Sequence, residues 1–215
     1  MRAVQASFFA LLVGAVLGAC ASTGIPTTGP AAATTGPSQA ATVDPAIAAA
    51  AGRLTSALDG LKAGYTFATT VTVGDTVATR ASGRWTGGAS EFDLIAAGVA
   101  VTYRSVPPTA WVRQADGTWT KLDGPAPGAD PLAALRNPAT LAILSDDAAG
   151  LKLSAGYLAS ALGLAGADPV TVQLTVAADG SLDVAYTATT ETGSGSVQTR
   201  LSPSPSQQPI VAPTG

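Results

Sequence analysis

The sequence has no histidine and only one cysteine, Cys20. Without histidine the chain cannot use Ser-His-Asp or Cys-His catalysis, and it lacks a usual zinc ligand. A single cysteine permits no disulfide within the chain, so the folded part depends on its apolar core. Only 12% of the residues are charged and the net charge is −3, whereas nucleic-acid binding depends on clustered Lys and Arg. We therefore expect no nucleic-acid partner.

The remaining enzymatic alternative is a hydrolase that uses carboxylates. Glu91 and Asp93 are two residues apart, so on a strand they would share one face, and Asp146 is adjacent to Asp147. A catalytic role would require Asp93, Asp146 and Asp147 to lie within about 12 Å, given the separation of paired catalytic carboxylates. Solvated charge pairs explain both groups more simply, and no glycine-rich phosphate loop follows a predicted strand. We predict that the protein is not an enzyme and has no catalytic residue, metal or cofactor.

The N-terminus carries an export signal. Arg2 precedes an apolar run from Ala6 to Leu17, which is too short to span a bilayer and is typical of a signal peptide. The run ends in Leu17-Gly18-Ala19-Cys20, which resembles the lipobox of bacterial lipoproteins. The resemblance implies that residues 1–19 are removed and that Cys20 carries acyl chains such as palmitate. The alternative is an ordinary signal peptide with an accidental cysteine.

Two acyl chains hold a protein on a membrane where one gives only marginal binding. We therefore expect an exported protein, lipid-anchored through Cys20 on the outer face of the cytoplasmic membrane. Cleavage removes Arg2, which leaves ten basic residues against fourteen acidic ones. Residues 20–43 comprise this cysteine and an Ala/Thr/Pro-rich spacer that we predict to be disordered, as we do the Pro/Ser tail at 203–215. Such segments can be glycosylated in exported proteins.

Residues 44–202 form the predicted folded domain. Asp44-Pro45 begins an amphipathic helix that Gly64 ends, and Asp130-Pro131 begins further helices with Leu132 and Leu135 on their apolar side. Between and after these segments the apolar residues recur at every second position, with glycine-containing turns, which indicates about nine antiparallel strands. The segment from Leu151 to Leu164 fits either a helix or a short strand. The predicted fold is α+β: a curved antiparallel sheet, a half-open barrel, with helices covering its concave face.

Several segments together carry a family resemblance. They are Cys20 with its spacer, the helix from Asp44 to Gly64 leading into Tyr65-Thr66-Phe67, Ala110-Trp111-Val112-Arg113 before Asp116-Gly117-Thr118-Trp119, Asp130-Pro131-Leu132, and Pro169-Val170-Thr171-Val172 before Asp179-Gly180. Over residues 46–202 this order of elements resembles the LolA/LolB-type half-barrel, and in particular the actinobacterial LprG/LppX lipoproteins. The resemblance implies binding or shuttling of a lipid, a lipoglycan or another hydrophobic ligand in an apolar cavity between sheet and helices.

The ligand-binding residues that this resemblance implies are apolar and lie on strands and helices. Each of them could equally belong to an ordinary core. The candidates are Phe67, Val71, Trp85, Phe92, Leu94, Val101 and Tyr103 on strands, with Leu54, Leu58 and Leu135 on helices.

A second hypothesis is a non-catalytic protein-interaction lipoprotein of the cell envelope without a ligand. Trp111 and Trp119 would then belong to an exposed patch that binds another envelope protein. Strand alternation lets Trp111 face away from Val112. The sequence does not predict an oligomeric state.

Overall fold

The computed structural model describes residues 44–123, 131–162, 164, 168–190 and 193–214. Cys20, the predicted signal peptide and the spacer lie outside the described residues, as does Asp130. In the part of the chain that is described, no helix is long and apolar enough to cross a membrane.

The described chain consists of one long helix, one short helix, a 3₁₀ turn and eleven strands. In chain order they are α1 (Pro45–Leu61), β1 (Tyr65–Val73), β2 (Thr76–Thr86), β3 (Ala89–Ala96), β4 (Val99–Val106), β5 (Thr109–Arg113), β6 (Trp119–Lys121), α2 (Pro131–Leu135), β7 (Thr140–Asp147), β8 (Gly150–Leu158), the 3₁₀ helix Ala159–Leu162, β9 (Pro169–Val176), β10 (Leu182–Thr190) and β11 (Gly193–Pro203).

Helix α1 forms where the sequence predicts it. The Asp44 side chain accepts a hydrogen bond of 2.8 Å from the Ala46 backbone N–H, and Pro45 occupies the first helical turn. Its apolar residues fall on one buried face, which includes Leu54, Leu58 and Leu61. Just after the helix, Gly64 has a φ of 148°, and a Cβ at this position would lie 2.9 Å from the Ser204 carbonyl oxygen. A glycine is therefore needed where the chain enters β1.

All eleven strands belong to a single open antiparallel sheet, in the order β6-β5-β4-β3-β2-β1-β11-β10-β9-β8-β7. Strands β1 to β6 form one meander and β7 to β11 another. The two meanders join where β1 pairs with β11, from Tyr65 opposite Pro203 to Val73 opposite Gly195. The α+β class and the antiparallel sheet agree with the sequence-based prediction.

The structure contains more strand and less helix than predicted. Leu141 and Ile143, which follow the helix predicted to begin at Asp130-Pro131, lie in β7, and the ambiguous segment from Leu151 is β8. In β8 the buried side chains alternate with more exposed ones, so the period is that of a strand. Helix α2 has only five residues. The expectation that several helices cover the sheet is therefore not confirmed among the described residues.

The hydrophobic core lies beneath α1. This helix makes its main contacts with β7, β9 and β11, and we call the sheet face on which it packs the inner face and the opposite one the outer face. Fully buried inner-face residues of β1 and β8 to β11 pack against the buried face of α1. They include Tyr65, Leu151, Leu153, Tyr157, Val172, Leu174, Leu182 and Leu201. One half of the sheet thus carries the core.

Residues 204–214, within the predicted unstructured tail, form neither helix nor strand but pack on the domain. The Ser204 backbone N–H donates to the Gly64 carbonyl at 2.8 Å. Further along, Arg84 donates to the Gln208 carbonyl and Arg104 to the Val211 carbonyl. The side chain of Ile210 is buried, with 6% exposure.

Candidate functional site

An aromatic row crosses the inner face of the half of the sheet that α1 does not chiefly contact. Phe67, Gly83, Phe92, Tyr103 and Val112 are consecutive partners in the register from β1 to β5. The ring centroids of Phe67 and Phe92 are 6.1 Å apart, and those of Phe92 and Tyr103 are 5.4 Å apart. Both distances fall within the range of favourable aromatic pairs.

Gly83 makes the contact between Phe67 and Phe92 possible. These two residues lie on strands two positions apart, a backbone separation of about 9.6 Å. Because Gly83 has no side chain, the rings can meet above its backbone. A Cβ at Gly83 would collide with the Phe92 Cβ and the Glu91 carbonyl oxygen. The strand that separates the two rings therefore contributes only backbone at this point.

Two further rows extend the same face towards the β1–β2 and β3–β4 turns. Leu94 and Val101 are partners in one row, and Val71 lies in the next. All three side chains are partly buried, unlike the closed core beneath α1. We call the surface formed by Phe67, Val71, Phe92, Leu94, Val101 and Tyr103 the apolar floor.

Polar groups border the apolar floor. The hydroxyls of Thr69 and Thr199 share a hydrogen bond of 3.0 Å between β1 and β11. Ser90 and Ser105 are partners on β3 and β4, and both are buried. Burial also raises the pKa of the Tyr103 phenol, because desolvation disfavours the phenolate. The phenol therefore remains neutral at physiological pH.

The structure brings all seven predicted strand residues to the inner face. Six of them form the apolar floor. The seventh, Trp85, stacks on Tyr65 with ring centroids 6.2 Å apart and packs against the core. The three predicted helical residues, Leu54, Leu58 and Leu135, are instead buried members of the core. Sequence reasoning missed Gly83, because its importance depends on the pairing register of three strands.

Two clefts lie along β9, β10, β11 and β1, with lining residues from both faces of the sheet: Gln198 belongs to the outer face, and Val197 and Val184 belong to the inner face. One has a volume of about 670 Å³ and includes Gln173 and Gln198 in its lining; the other, of about 270 Å³, shares Gln198. Their described lining contains none of the ten predicted ligand-binding residues. Val197, which lines the larger cleft, is the register partner of the floor residue Val71.

The carboxylates that a hydrolase would need are not assembled. Asp93 lies on the outer face of β3 and accepts a hydrogen bond of 2.6 Å from Thr102, whereas Asp146 on β7 pairs with Arg53 at 2.7 Å. Strands β3 and β7 are separated by seven strand spacings, about 34 Å along the sheet. Among the described residues no group of three or more His, Cys, Asp or Glu could hold a metal.

Trp111 and Trp119 both lie on the outer face, on β5 and β6, and Trp111 points away from the Val112 side. The guanidinium carbon of Arg104 lies 4.6 Å from the centroid of the Trp119 ring, a cation–π contact. Both indoles are only partly exposed.

Comparison with known proteins adds no assignment. No protein-family model matches the chain, and no curated protein matches it.

Proposed function

We propose that the protein binds a hydrophobic ligand, the acyl chain of a lipid, on the apolar floor. We further propose that the floor belongs to the concave face of a LolA-like half-barrel of the LprG/LppX kind. In this proposal the protein is a lipoprotein of the cell envelope, anchored through Cys20 to the outer face of the cytoplasmic membrane, and it binds or shuttles lipid there. The observation that carries the proposal is the partial exposure of six apolar side chains on one continuous face.

The contrast between the two halves of the sheet supports this interpretation. Beneath α1 the inner face is closed: Leu153 is 0% exposed and Leu174 is 1% exposed. On the apolar floor, Phe92, Leu94 and Val101 face the same side but are only partly buried. Water-soluble domains seldom leave a continuous apolar patch uncovered unless it binds something. A ligand that covers the floor would gain about 25 cal/mol for each Å² of apolar surface removed from water.

An acyl chain fits the floor better than a polar ligand does. The six side chains offer no charged group, and the phenol of Tyr103 stays neutral. An apolar chain on this surface therefore leaves no buried charge without a partner.

Leu94 and Ile95 provide a matched pair of substitutions on β3. Leu94 lies on the floor, whereas Ile95 is its exposed neighbour on the outer face. Leu94→Gln should weaken binding of a fluorescent fatty-acyl probe about tenfold or more, because burial of a leucine side chain contributes about 1.5–3 kcal/mol. Ile95→Gln should leave the affinity unchanged.

The measurement uses the purified, delipidated full chain, titrated with the probe, and mass spectrometry of lipid that co-purifies with the untreated protein. The proposal fails if the unmodified chain takes up no probe and carries no lipid, or if both substitutions change the affinity equally. Mass spectrometry of the peptide that begins at Cys20 tests the anchor separately.

A further inference from the structure

A row of charged and aromatic residues crosses the outer face, on the other side of the sheet from the apolar floor. Arg84, Glu91, Arg104 and Trp111 are consecutive partners in the register from β2 to β5. Glu91 holds both arginines, with one carboxylate oxygen 3.2 Å from Arg84 and the other 3.1 Å from Arg104. All of these groups are partly buried, so the two guanidinium groups are fixed in place.

The C-terminal segment lies across this row. The Nη1 of Arg84 donates to the Gln208 carbonyl at 3.0 Å, and the Nη1 of Arg104 donates to the Val211 carbonyl at 3.3 Å. Between these two carbonyls, the side chain of Ile210 is buried. The sheet thus holds the segment mainly by its backbone and by one aliphatic side chain.

The spacing of the two arginines matches a polyproline II helix. Arg84 and Arg104 lie on strands two positions apart, which places their backbones about 9.6 Å apart. The carbonyls that they bind are three residues apart in the chain. A polyproline II helix advances about 3.1 Å per residue with three residues per turn, so such carbonyls lie about 9.3 Å apart and point to the same side. The segment also has the proline content that favours this conformation, with Pro205, Pro209 and Pro213.

We propose that the row Arg84, Glu91, Arg104 and Trp111 is a binding site for extended, proline-containing peptides, and that the chain's own C-terminal segment fills it. Charged guanidinium donors make stronger hydrogen bonds to backbone carbonyls than neutral donors do. The indole of Trp111 continues the row beyond Arg104, and the ring of Trp119 lies against the Arg104 guanidinium. Aromatic side chains also line other sites that bind polyproline II peptides.

The built-in segment controls access to the site. Its effective concentration is on the order of millimolar, as for other short intramolecular tethers. A proline-containing segment of another envelope protein must therefore displace residues 207–213 before it can bind. This role does not depend on lipid binding, because the site and the apolar floor lie on opposite faces.

The test uses the full chain with Ile210→Glu, which puts a charge at the buried position and releases the segment. The probe is a fluorescently labelled peptide of residues 204–214, and its binding is followed by anisotropy. The variant should bind the peptide at least tenfold more tightly than the unmodified chain, in which the site is already filled. Adding Arg104→Gln to the variant should abolish this binding.

Arg80→Gln is the matched control, since Arg80 is an exposed outer-face arginine of the same strand as Arg84. In the Ile210→Glu background it should leave peptide binding unchanged. Far-ultraviolet circular dichroism establishes that each variant is folded. The proposal is overturned if the folded Ile210→Glu variant does not bind the peptide, or if Arg104→Gln and Arg80→Gln affect binding equally. Affinity for the acyl probe, measured in the same variants, keeps this result distinct from the proposed lipid binding.

Discussion

Gly83 determines how the aromatic side chains of the apolar floor meet. Its missing side chain leaves the space over β2 in which the rings of Phe67 and Phe92 come together. The contact therefore depends on a residue that contributes no atoms to it beyond the backbone.

Substitution of this glycine should be costly. In Gly83→Ala the new Cβ meets the Glu91 backbone and the Phe92 Cβ, neither of which can move without shifting β3. We expect a loss of about 1–3 kcal/mol in the free energy of unfolding, the usual cost of overpacking, and weaker acyl-probe binding. Urea denaturation measures the first effect and probe titration the second.

Gly52→Ala is a control that should change the free energy of unfolding in the opposite direction. Gly52 lies in α1, and a Cβ added there would meet nothing within 4 Å outside its chain neighbours and the adjacent helix backbone. Alanine should therefore raise the stability by about 0.5–1 kcal/mol through its better helix propensity. A Gly83→Ala variant as stable as the unmodified chain would contradict the predicted crowding of a Cβ at this position.

The sequence identifies the aromatic residues but not their contacts. Alternation along β3 and β4 predicts that Phe92 and Tyr103 share a face with Phe67. Their approach to one another requires the register of three strand pairs, which depends on long-range pairing. The row of Arg84, Glu91 and Arg104 could not be recognised from sequence for the same reason, because it too depends on the register of several strand pairs.

At the scale of elements, α1 covers the core, which the apolar floor adjoins through Phe67. Leu58, a predicted ligand-binding residue, is 1% exposed and belongs to the core. Leu58→Ala should lower the free energy of unfolding by about 2–5 kcal/mol, the range for deleting a buried leucine side chain. The fraction that remains folded should bind the acyl probe with unchanged affinity.

Thr55→Ala, at an exposed position on α1, is the control for Leu58→Ala and should change stability little. Thermal unfolding and probe titration of both variants separate packing from binding. A large loss of probe affinity in folded Leu58→Ala protein would show that Leu58 contributes to ligand binding.

Strand β7 shows why the sequence pattern between α2 and β8 did not predict a strand. A register shift between Ile143 and Ser145 interrupts the ladder with β8. Leu144 falls in this irregularity and is 56% exposed, so two apolar residues are adjacent in sequence where a regular strand would alternate. The apolar pattern around Leu141 therefore loses its period of two, and the bulge could not be inferred before the pairing was known.

At the scale of the whole molecule, buried phenols couple stability to alkaline pH. Burial raises the pKa of Tyr157 to about 12, and its hydroxyl donates to the Leu135 carbonyl at 3.0 Å, which joins β8 to α2. A phenol whose pKa is raised by folding contributes stability that is fully present below its unfolded pKa of 10.0 and is lost as the pH rises towards 12. The pKa values of Tyr103 and Tyr186 are raised by the same cause.

We therefore expect the free energy of unfolding to fall between about pH 10 and pH 12, the window between the unfolded and folded pKa values. Tyr157→Phe should reduce this fall, while it costs about 1 kcal/mol at neutral pH through the lost hydrogen bond. Urea denaturation across this range, with tyrosinate absorbance as a second signal, measures both effects. An unchanged alkaline profile in Tyr157→Phe would show that Tyr157 does not contribute to it.

The sequence by itself determined the helix α1, the antiparallel strands of the first and last thirds, and the apolar side chains of the inner face. These features follow from local periodicity, capping and turn residues, which act within a few positions of the chain. Only the tertiary structure decided that β1 pairs with β11, that α1 covers one half of the sheet, and that the C-terminal segment crosses Arg84 and Arg104. Each of these features depends on contacts between residues far apart in sequence. No local pattern encodes the register of such strand pairs, or which elements pack on the same apolar surface.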